Sequence, residues 1–381
     1  MVGSIETGRH GQNKIVWHVT QNIYAMADTT ALDSLLTTTL ARLQEFATFL
    51  SPTAASPLTQ PIDEPPNPLH VLRDAALLVK AHTTKLSLLA INKPFTPSAI
   101  AKVLRQLSAE ALPALMSAVQ ICQQERSTYG TMMAAEAQAR VRRVFREMES
   151  LLQEIQSLAQ GETWSKSTLT STGVVWEACD ALILLEKLGV GGLAVQKAEQ
   201  WRDTIKDAIE ELREWAAGED EENEGFDSLL DENDEGVEGD RDSVEDLFNA
   251  ANSLPKDRPE LKALVEEADG RLKKVVLLYT ALLKRRLKTF DAGTKELAKE
   301  GREQGVRRID EAMENLQRIP HQIDELAACL YDLDEAKSKA ALEKCVKEAV
   351  AASTVMADSW NGQADEFTAW SVKWRAAVEG M

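Results

Sequence analysis

The chain has 381 residues, of which 44% are hydrophobic and 27% charged, and its formal net charge is −18 at pH 7. This length and this apolar fraction are enough for two domains with cores of their own. Residues that lose little rotamer freedom in a helix dominate, and no alternating β-branched run of strand length occurs, so the composition favours an all-α fold. An acidic chain of this kind is not expected to bind nucleic acid directly.

Membrane spans and metal sites are not expected either. The apolar run Ala181–Leu185 lies between Asp180 and Glu186 and, like every other apolar run, is far shorter than the roughly 20 residues of a spanning helix. The four cysteines lie far apart among apolar residues and have no zinc-site spacing to each other or to a histidine; they are Cys122, Cys179, Cys329 and Cys345. We therefore expect a soluble chain with buried thiols in a reducing compartment, without a metal, cofactor or small-molecule ligand.

The N-terminal part predicts a disordered extension followed by a helix. Residues 1–28 are assigned to the extension, and Asp28 and Thr29 are candidate caps for a helix with leucines on one face. The helix is predicted to stop at Ser51, because Pro52 follows.

Prolines then mark a surface loop from residue 52 to residue 68, since proline has no backbone donor for a helix interior. Amphipathic periodicity indicates the next helices. They are predicted over about 69–91, from Pro97 to a kink or end at Pro113, and over about 131–159.

Residues 174–185 are apolar almost all round, which predicts a helix surrounded by others and a buried Trp176. Gly189, Gly191 and Gly192 follow. They lack the Lys-Ser/Thr pair of a phosphate-binding loop, so we interpret them as a helix–helix turn. The helix after them has the alternating three- and four-residue spacing of a bundle seam.

Acidic residues are concentrated in one stretch. Residues 219–246 contain fifteen acidic residues and a single basic one, Arg241, which gives a local net charge of −14. Such a segment cannot bury enough apolar surface to offset its ordering entropy. We predict a disordered acidic linker at 218–246 between two antiparallel helical bundles, 29–217 and 247–381.

The C-terminal bundle is predicted to contain helices over about 258–290 and 294–318, with two more after Pro320. Its last stretch carries an aromatic cluster that is expected to dock onto the bundle. The cluster consists of Trp360, Phe367, Trp370 and Trp374.

Two basic clusters are candidates for nucleic-acid contact or nuclear import, since clustered cations attract phosphates and acidic receptors. They are Arg140, Arg142, Arg143 and Arg146, and Lys284, Arg285, Arg286 and Lys288. Both are interleaved with apolar residues, so we interpret each as the polar rim of a packed helix. No residue set resembles a catalytic constellation, and no enzymatic activity is expected.

The acidic segment contains one apolar cluster, Phe226, Leu229 and Leu230, whose spacing would align the three side chains on one side of a helical turn. We consider these residues candidate partner-binding anchors. Ser228 and Ser243 each have an acidic residue three positions later, which makes them candidate phosphorylation sites.

The region from Val174 to Phe248 resembles the cyclin-D-binding, or GCIP, family. The resemblance is carried by ordered short motifs and continues more weakly into the C-terminal half. The motifs are Val174-Val175-Trp176-Glu177-Ala178-Cys179, Asp203 with Ile205-Lys206-Asp207-Ala208 and Glu210-Glu211, Gly225-Phe226-Asp227-Ser228-Leu229-Leu230, Asp310-Glu311, and Asp324-Glu325-Leu326-Ala327.

This resemblance implies a helical adaptor of the cytoplasm and nucleus that binds cyclins or transcription regulators and influences cell-cycle progression. A structural scaffold of the talin, vinculin or α-catenin type, with cytoskeletal or trafficking partners, is the alternative, because amphipathic helical bundles share the same periodicity.

Overall fold

The computed structural model describes residues 7–51, 64–160, 168–217, 254–255 and 257–380, with side chains from residue 28 in its first helix and from residue 171 in its sixth. These residues form helices and no strand, which confirms the all-α prediction. The helices are α1 (Thr7–Phe49), α2 (Pro68–Ile91), α3 (Pro97–Gln106), α4 (Leu112–Gln124), α5 (Arg126–Ala159), α6 (Thr168–Ala217), α7 (Pro259–Arg285), α8 (Phe290–Thr294), α9 (Lys299–Tyr331), α10 (Glu335–Val355) and α11 (Glu366–Glu379). In the described part of the chain, no helix has the length and hydropathy to cross a bilayer. The predicted linker 218–246 lies outside these residues.

The chain divides into two compact units, Met1–Gly189 and Val190–Met381. Gly189 has φ 59° and ψ −168° inside α6, a backbone conformation that glycine adopts without a Cβ penalty. The predicted turn among the glycines therefore exists as a break at Gly189.

The second part of α6 belongs to the second unit, whereas the sequence placed it in a first bundle ending at residue 217. Arg213 donates a hydrogen bond to Asp269 at 2.5 Å, and Trp215 packs edge-on against Tyr331 with ring centroids 5.1 Å apart. The composition of the chain changes abruptly at residue 217, whereas the boundary between the two compact units lies at Gly189.

In the first unit, α1 and α5 run antiparallel. Gln156 of α5 donates to Asp33 near the start of the described part of α1, and Phe145 packs against Phe46 near its end. The helix begins at Thr7, within the stretch 1–28 that the sequence assigned to a disordered extension. No proline interrupts the chain before Pro52, and Asp28 and Thr29 therefore lie inside a helix instead of capping one.

Pro113 distorts the backbone as expected. A π-helical turn, Leu107–Ala111, joins α3 to α4, and Pro113 is the second residue of α4. π-turns of this kind accommodate one extra residue within a helix.

Pro320 was expected to separate two helices, but α9 continues through it. The prediction failed because the carbonyl of Leu316, four residues earlier, loses its helical partner at Pro320 and accepts a hydrogen bond from Tyr279 of α7 instead.

The aromatic cluster at the end of the chain docks onto the second unit, as predicted. Trp360 and Phe290 meet edge to face with centroids 5.1 Å apart, and the Trp374 indole N–H donates to the carbonyl of Lys274 at 2.8 Å. Helix α11 therefore lies along α7.

Candidate functional site

Trp176 is exposed at the surface of the first unit, with 37% of its area accessible, so the prediction that it is buried is wrong. The first part of α6 is amphipathic despite its apolar composition. Its buried side is formed by Val175, Ala178, Cys179, Leu182 and Leu185. Glu177 and Asp180 lie on the other side with Trp176, and these two carboxylates are the sequence signal that this side meets solvent.

An ion pair joins this exposed side of α6 to α2. Lys80 lies 2.6 and 2.7 Å from the two carboxylate oxygens of Asp180. Ser87 and Thr172 share a hydrogen bond of 2.6 Å further along, so the two helices run antiparallel.

Helical spacing brings exposed apolar side chains to both sides of that ion pair. Trp176 and Leu184 lie four residues before and after Asp180, and Leu77 and Leu88 lie on the exposed stripe of α2, three residues before and eight residues after Lys80. We call the surface formed by these four residues the Trp176 face. It consists of side chains on two helices whose separation is fixed by hydrogen bonds.

A second apolar surface lies in the second unit between α7 and α11. Buried Arg286, 2% exposed, donates to both carboxylate oxygens of Asp365 at 2.8 and 2.9 Å, and its guanidinium lies 4.5 Å from the Phe367 ring centroid. Asp365 also accepts from the Thr368 N–H in a capping box that starts α11. This pair fixes the beginning of α11 against the end of α7.

Directly beside this pair is a concavity of about 380 Å³, which we call the Trp370 groove. It is lined by Leu277, Thr280, Ala281, Lys284, Arg285, Glu366, Phe367 and Trp370. Leu277 is 51% exposed, and the Trp370 ring stacks on Trp374 with centroids 6.2 Å apart. The groove therefore has an apolar floor and an open, partly charged rim.

The rim carries more positive than negative charge. Among the lining residues, Lys284 is exposed and makes no ion pair within the described part of the chain. Lys373 does not line the groove itself but is exposed three residues after Trp370. Arg285 faces Glu366 at 3.4 Å, a pair in which the Glu366 side chain is 86% exposed and which is therefore weak.

The basic clusters differ in their environments. Arg140 pairs with Glu136 at 2.7 Å and Arg143 with Glu177 at 2.9 Å, as expected for the polar rim of a packed helix. Arg286 is a core residue instead of a rim residue. Its burial depends on Asp365, which is 79 residues away in sequence and could not be paired with it by periodicity.

The candidate anchors Phe226, Leu229 and Leu230 and the candidate phosphorylation sites Ser228 and Ser243 lie outside the described residues. Their assignments stay predictions.

The cysteines are free thiols, three of them buried as predicted and Cys329 half-buried. Burial raises the pKa of Cys122, Cys179 and Cys345 to about 12, so these thiols are protonated and unreactive at neutral pH. Within the part of the chain that the structure describes, no three His, Cys, Asp or Glu side chains are grouped to hold a metal ion.

Comparison with known proteins identifies the region that contains the Trp176 face. Residues 71–218 match the family model described as Grap2 and cyclin-D-interacting, N-terminal. An uncharacterized protein of Schizosaccharomyces pombe is 26% identical over 328 residues, which cover 84% of this chain and 86% of the relative. The Cyclin-D1-binding protein 1 homolog of Xenopus laevis is 29% identical over 180 residues, 46% of this chain and 44% of the relative. These similarities support a divergent relative of the Grap2 and cyclin-D-interacting family, and the stretch that matches the family model is residues 71–218.

Proposed function

We propose that this protein is a non-enzymatic adaptor that binds a cyclin or a transcription regulator and influences cell-cycle progression or transcription in the cytoplasm and nucleus. The observation that carries this proposal is the position of the Trp176 face within residues 71–218, the stretch that matches the family model. One relative of the chain is named for binding cyclin D1.

The Trp176 face has the properties of a protein contact. A large aromatic side chain on a helix is a typical binding hot spot, since it buries much apolar area with few rotatable bonds. The ion pair between Lys80 and Asp180 lies between the apolar side chains and can exchange partners with polar groups of a bound protein.

The acidic segment is the second element of the proposal. Phe226, Leu229 and Leu230 are proposed anchors that insert into an apolar groove, and Ser228 and Ser243 are proposed phosphorylation sites. A phosphate on Ser228 would add roughly 1.5 to 2 negative charges next to the anchors.

Binding of purified proteins tests the partner class. The full chain is immobilised and exposed separately to a D-type cyclin and to actin filaments, because filament binding would favour a cytoskeletal scaffold. We expect saturable cyclin binding and no filament binding. The opposite result, or no binding to the cyclin, contradicts the proposal.

A further inference from the structure

We propose that the Trp370 groove is a docking site for the chain's own acidic segment, with Phe226, Leu229 and Leu230 on its apolar floor and the neighbouring carboxylates on its basic rim. The inference rests on the proposed role of these three residues as groove anchors and is independent of the class of the partner that the Trp176 face binds.

Charge complementarity is the first argument. The segment has a net charge of −14 over residues 219–246, and its apolar residues are bordered by Asp227 and Asp231. Within the described residues, exposed Lys284 lacks an ion pair and Lys373 is exposed on the same face of α11 as Trp370. The carboxylates of the acidic segment therefore have lysine partners around the groove. Ion pairs between partly desolvated groups are stronger than ion pairs in open water.

The shape and composition of the groove agree with this occupant. Leu277, Ala281, Phe367 and Trp370 present an apolar floor, and about 380 Å³ is enough for two or three apolar side chains of a short helical turn.

Chain length permits the docking. Helix α6 ends at Ala217, and the Leu254 N–H donates to the carbonyl of Trp215 at 3.1 Å, so the undescribed stretch leaves and re-enters the second unit at the same place. Arg213, near the end of α6, contacts Asp269 of α7. From Asp269 to the groove residue Ala281, twelve helical residues of α7 span about 18 Å.

The anchors can cover that distance from either side. Leu229 lies twelve residues after Ala217, which allows roughly 40 Å when extended, and the 24 residues from Leu230 to Leu254 allow roughly 80 Å. Both extended lengths exceed the distance of about 18 Å along α7 from Asp269 to Ala281. The remaining length is enough for the segment to pass around α7.

Docking has a consequence for partner binding. A protein that binds the anchors must first displace them from the groove, so the free chain binds such a protein more weakly than a chain with a defective groove. The groove then acts as an internal competitor whose effective concentration is set by the tether.

Carbodiimide coupling of the full-length free chain tests the contact, because it joins a lysine amine to a carboxylate only when the two touch. We expect mass spectrometry to find Lys284 or Lys373 joined to a carboxylate within residues 224–232. The Phe226→Ala/Leu229→Ala/Leu230→Ala variant keeps every carboxylate, and we expect its cross-link yield to fall about tenfold. An equal yield in this variant would mean contact by charge alone and would overturn the proposal.

Three controls sharpen the result. Lys284→Gln should remove its cross-link, whereas Lys295→Gln, an exposed lysine outside the groove, should leave the yield unchanged. Leu277→Ser should lower the yield at an unchanged unfolding midpoint. A mixture of isotopically light and heavy chains should give cross-links only within one chain. Mixed pairs would identify a second copy as the occupant, and absence of the cross-link in the parent chain would also reject the proposal. Neither outcome bears on cyclin binding at the Trp176 face.

Discussion

The hydroxyl of Tyr279 donates a hydrogen bond of 2.6 Å to the main-chain carbonyl of Leu316. This carbonyl is the one that Pro320 leaves without a helical donor, since proline has no N–H. Tyr279 is fully buried, and burial raises the pKa of its hydroxyl well above the usual value, so the proton stays available for donation. One side chain of α7 therefore satisfies the backbone at the proline in α9.

Replacement of Tyr279 by phenylalanine is expected to lower the free energy of unfolding by about 1–3 kcal/mol, because the buried Leu316 carbonyl is then unpaired. Pro320→Ala restores a donor to the same carbonyl. In the Pro320→Ala background, Tyr279→Phe should lower the free energy of unfolding measurably less. Denaturant titration of the parent, the two single variants and the double variant gives the coupling energy between the two residues. Equal costs in both backgrounds would show that the two residues are independent.

Acid should weaken the pair between Arg286 and Asp365. Hydrogen bonds from the Arg286 guanidinium hold the pKa of the Asp365 carboxyl far below its usual 3.8, and burial opposes them only in part. Because the carboxyl pKa is lower in the folded than in the unfolded chain, the ionised Asp365 stabilises the fold at pH values above the unfolded-state pKa. This stabilisation is lost as the pH falls towards the folded-state pKa. We expect Asp365→Asn to destabilise the chain at pH 6 and to lose less stability than the parent between pH 5 and pH 2. Parallel stability curves for the two chains would contradict this role.

His82 should make the first unit sensitive to mild acid. The residue is 4% exposed, and among the described residues neither ring nitrogen has a hydrogen-bond partner. Burial lowers its pKa from 6.5, Lys85 lowers it further, and Glu110 opposes them.

The unfolded chain therefore takes up a proton below about pH 6.5 that folded His82 does not, so stability declines as pH falls from 6.5 towards the lower folded-state pKa. His82→Leu should reduce the decline between pH 7 and pH 5, measured by denaturant titration. An unchanged slope in the His82 variant would refute the assignment.

Gly293 allows Trp360 to approach the backbone. A Cβ at residue 293 would lie 2.6 Å from the Trp360 ring, closer than real Cβ contacts. We expect Gly293→Ala to destabilise the chain by about 1–3 kcal/mol, the usual effect of overpacking, while Gly270→Ala, where a Cβ meets nothing within 4 Å, should be neutral or stabilising. Equal midpoints for the two variants in thermal unfolding would show that Trp360 can move aside.

Sequence periodicity predicted the helices because buried side chains must recur every three or four residues. One of its errors came from a contact between distant residues, and another came from local charges that were given too little weight. Pro320 was expected to end a helix because Tyr279 could not be paired with it, and Trp176 was expected to be buried because composition outweighed the nearby carboxylates. The Trp370 groove combines α7 and α11, more than 80 residues apart along the chain, and only the fold brings them together.

The affinity of a purified D-type cyclin for the parent chain and for Trp176→Ala tests the central claim most directly, with thermal unfolding of both chains measured alongside. Removal of a central aromatic anchor typically costs at least 2 kcal/mol of binding, so we expect the dissociation constant to rise about thirtyfold. The variant should stay folded, because Trp176 lies at the surface with 37% of its area accessible. An unchanged dissociation constant, or a parent chain that does not bind the cyclin, would contradict the account.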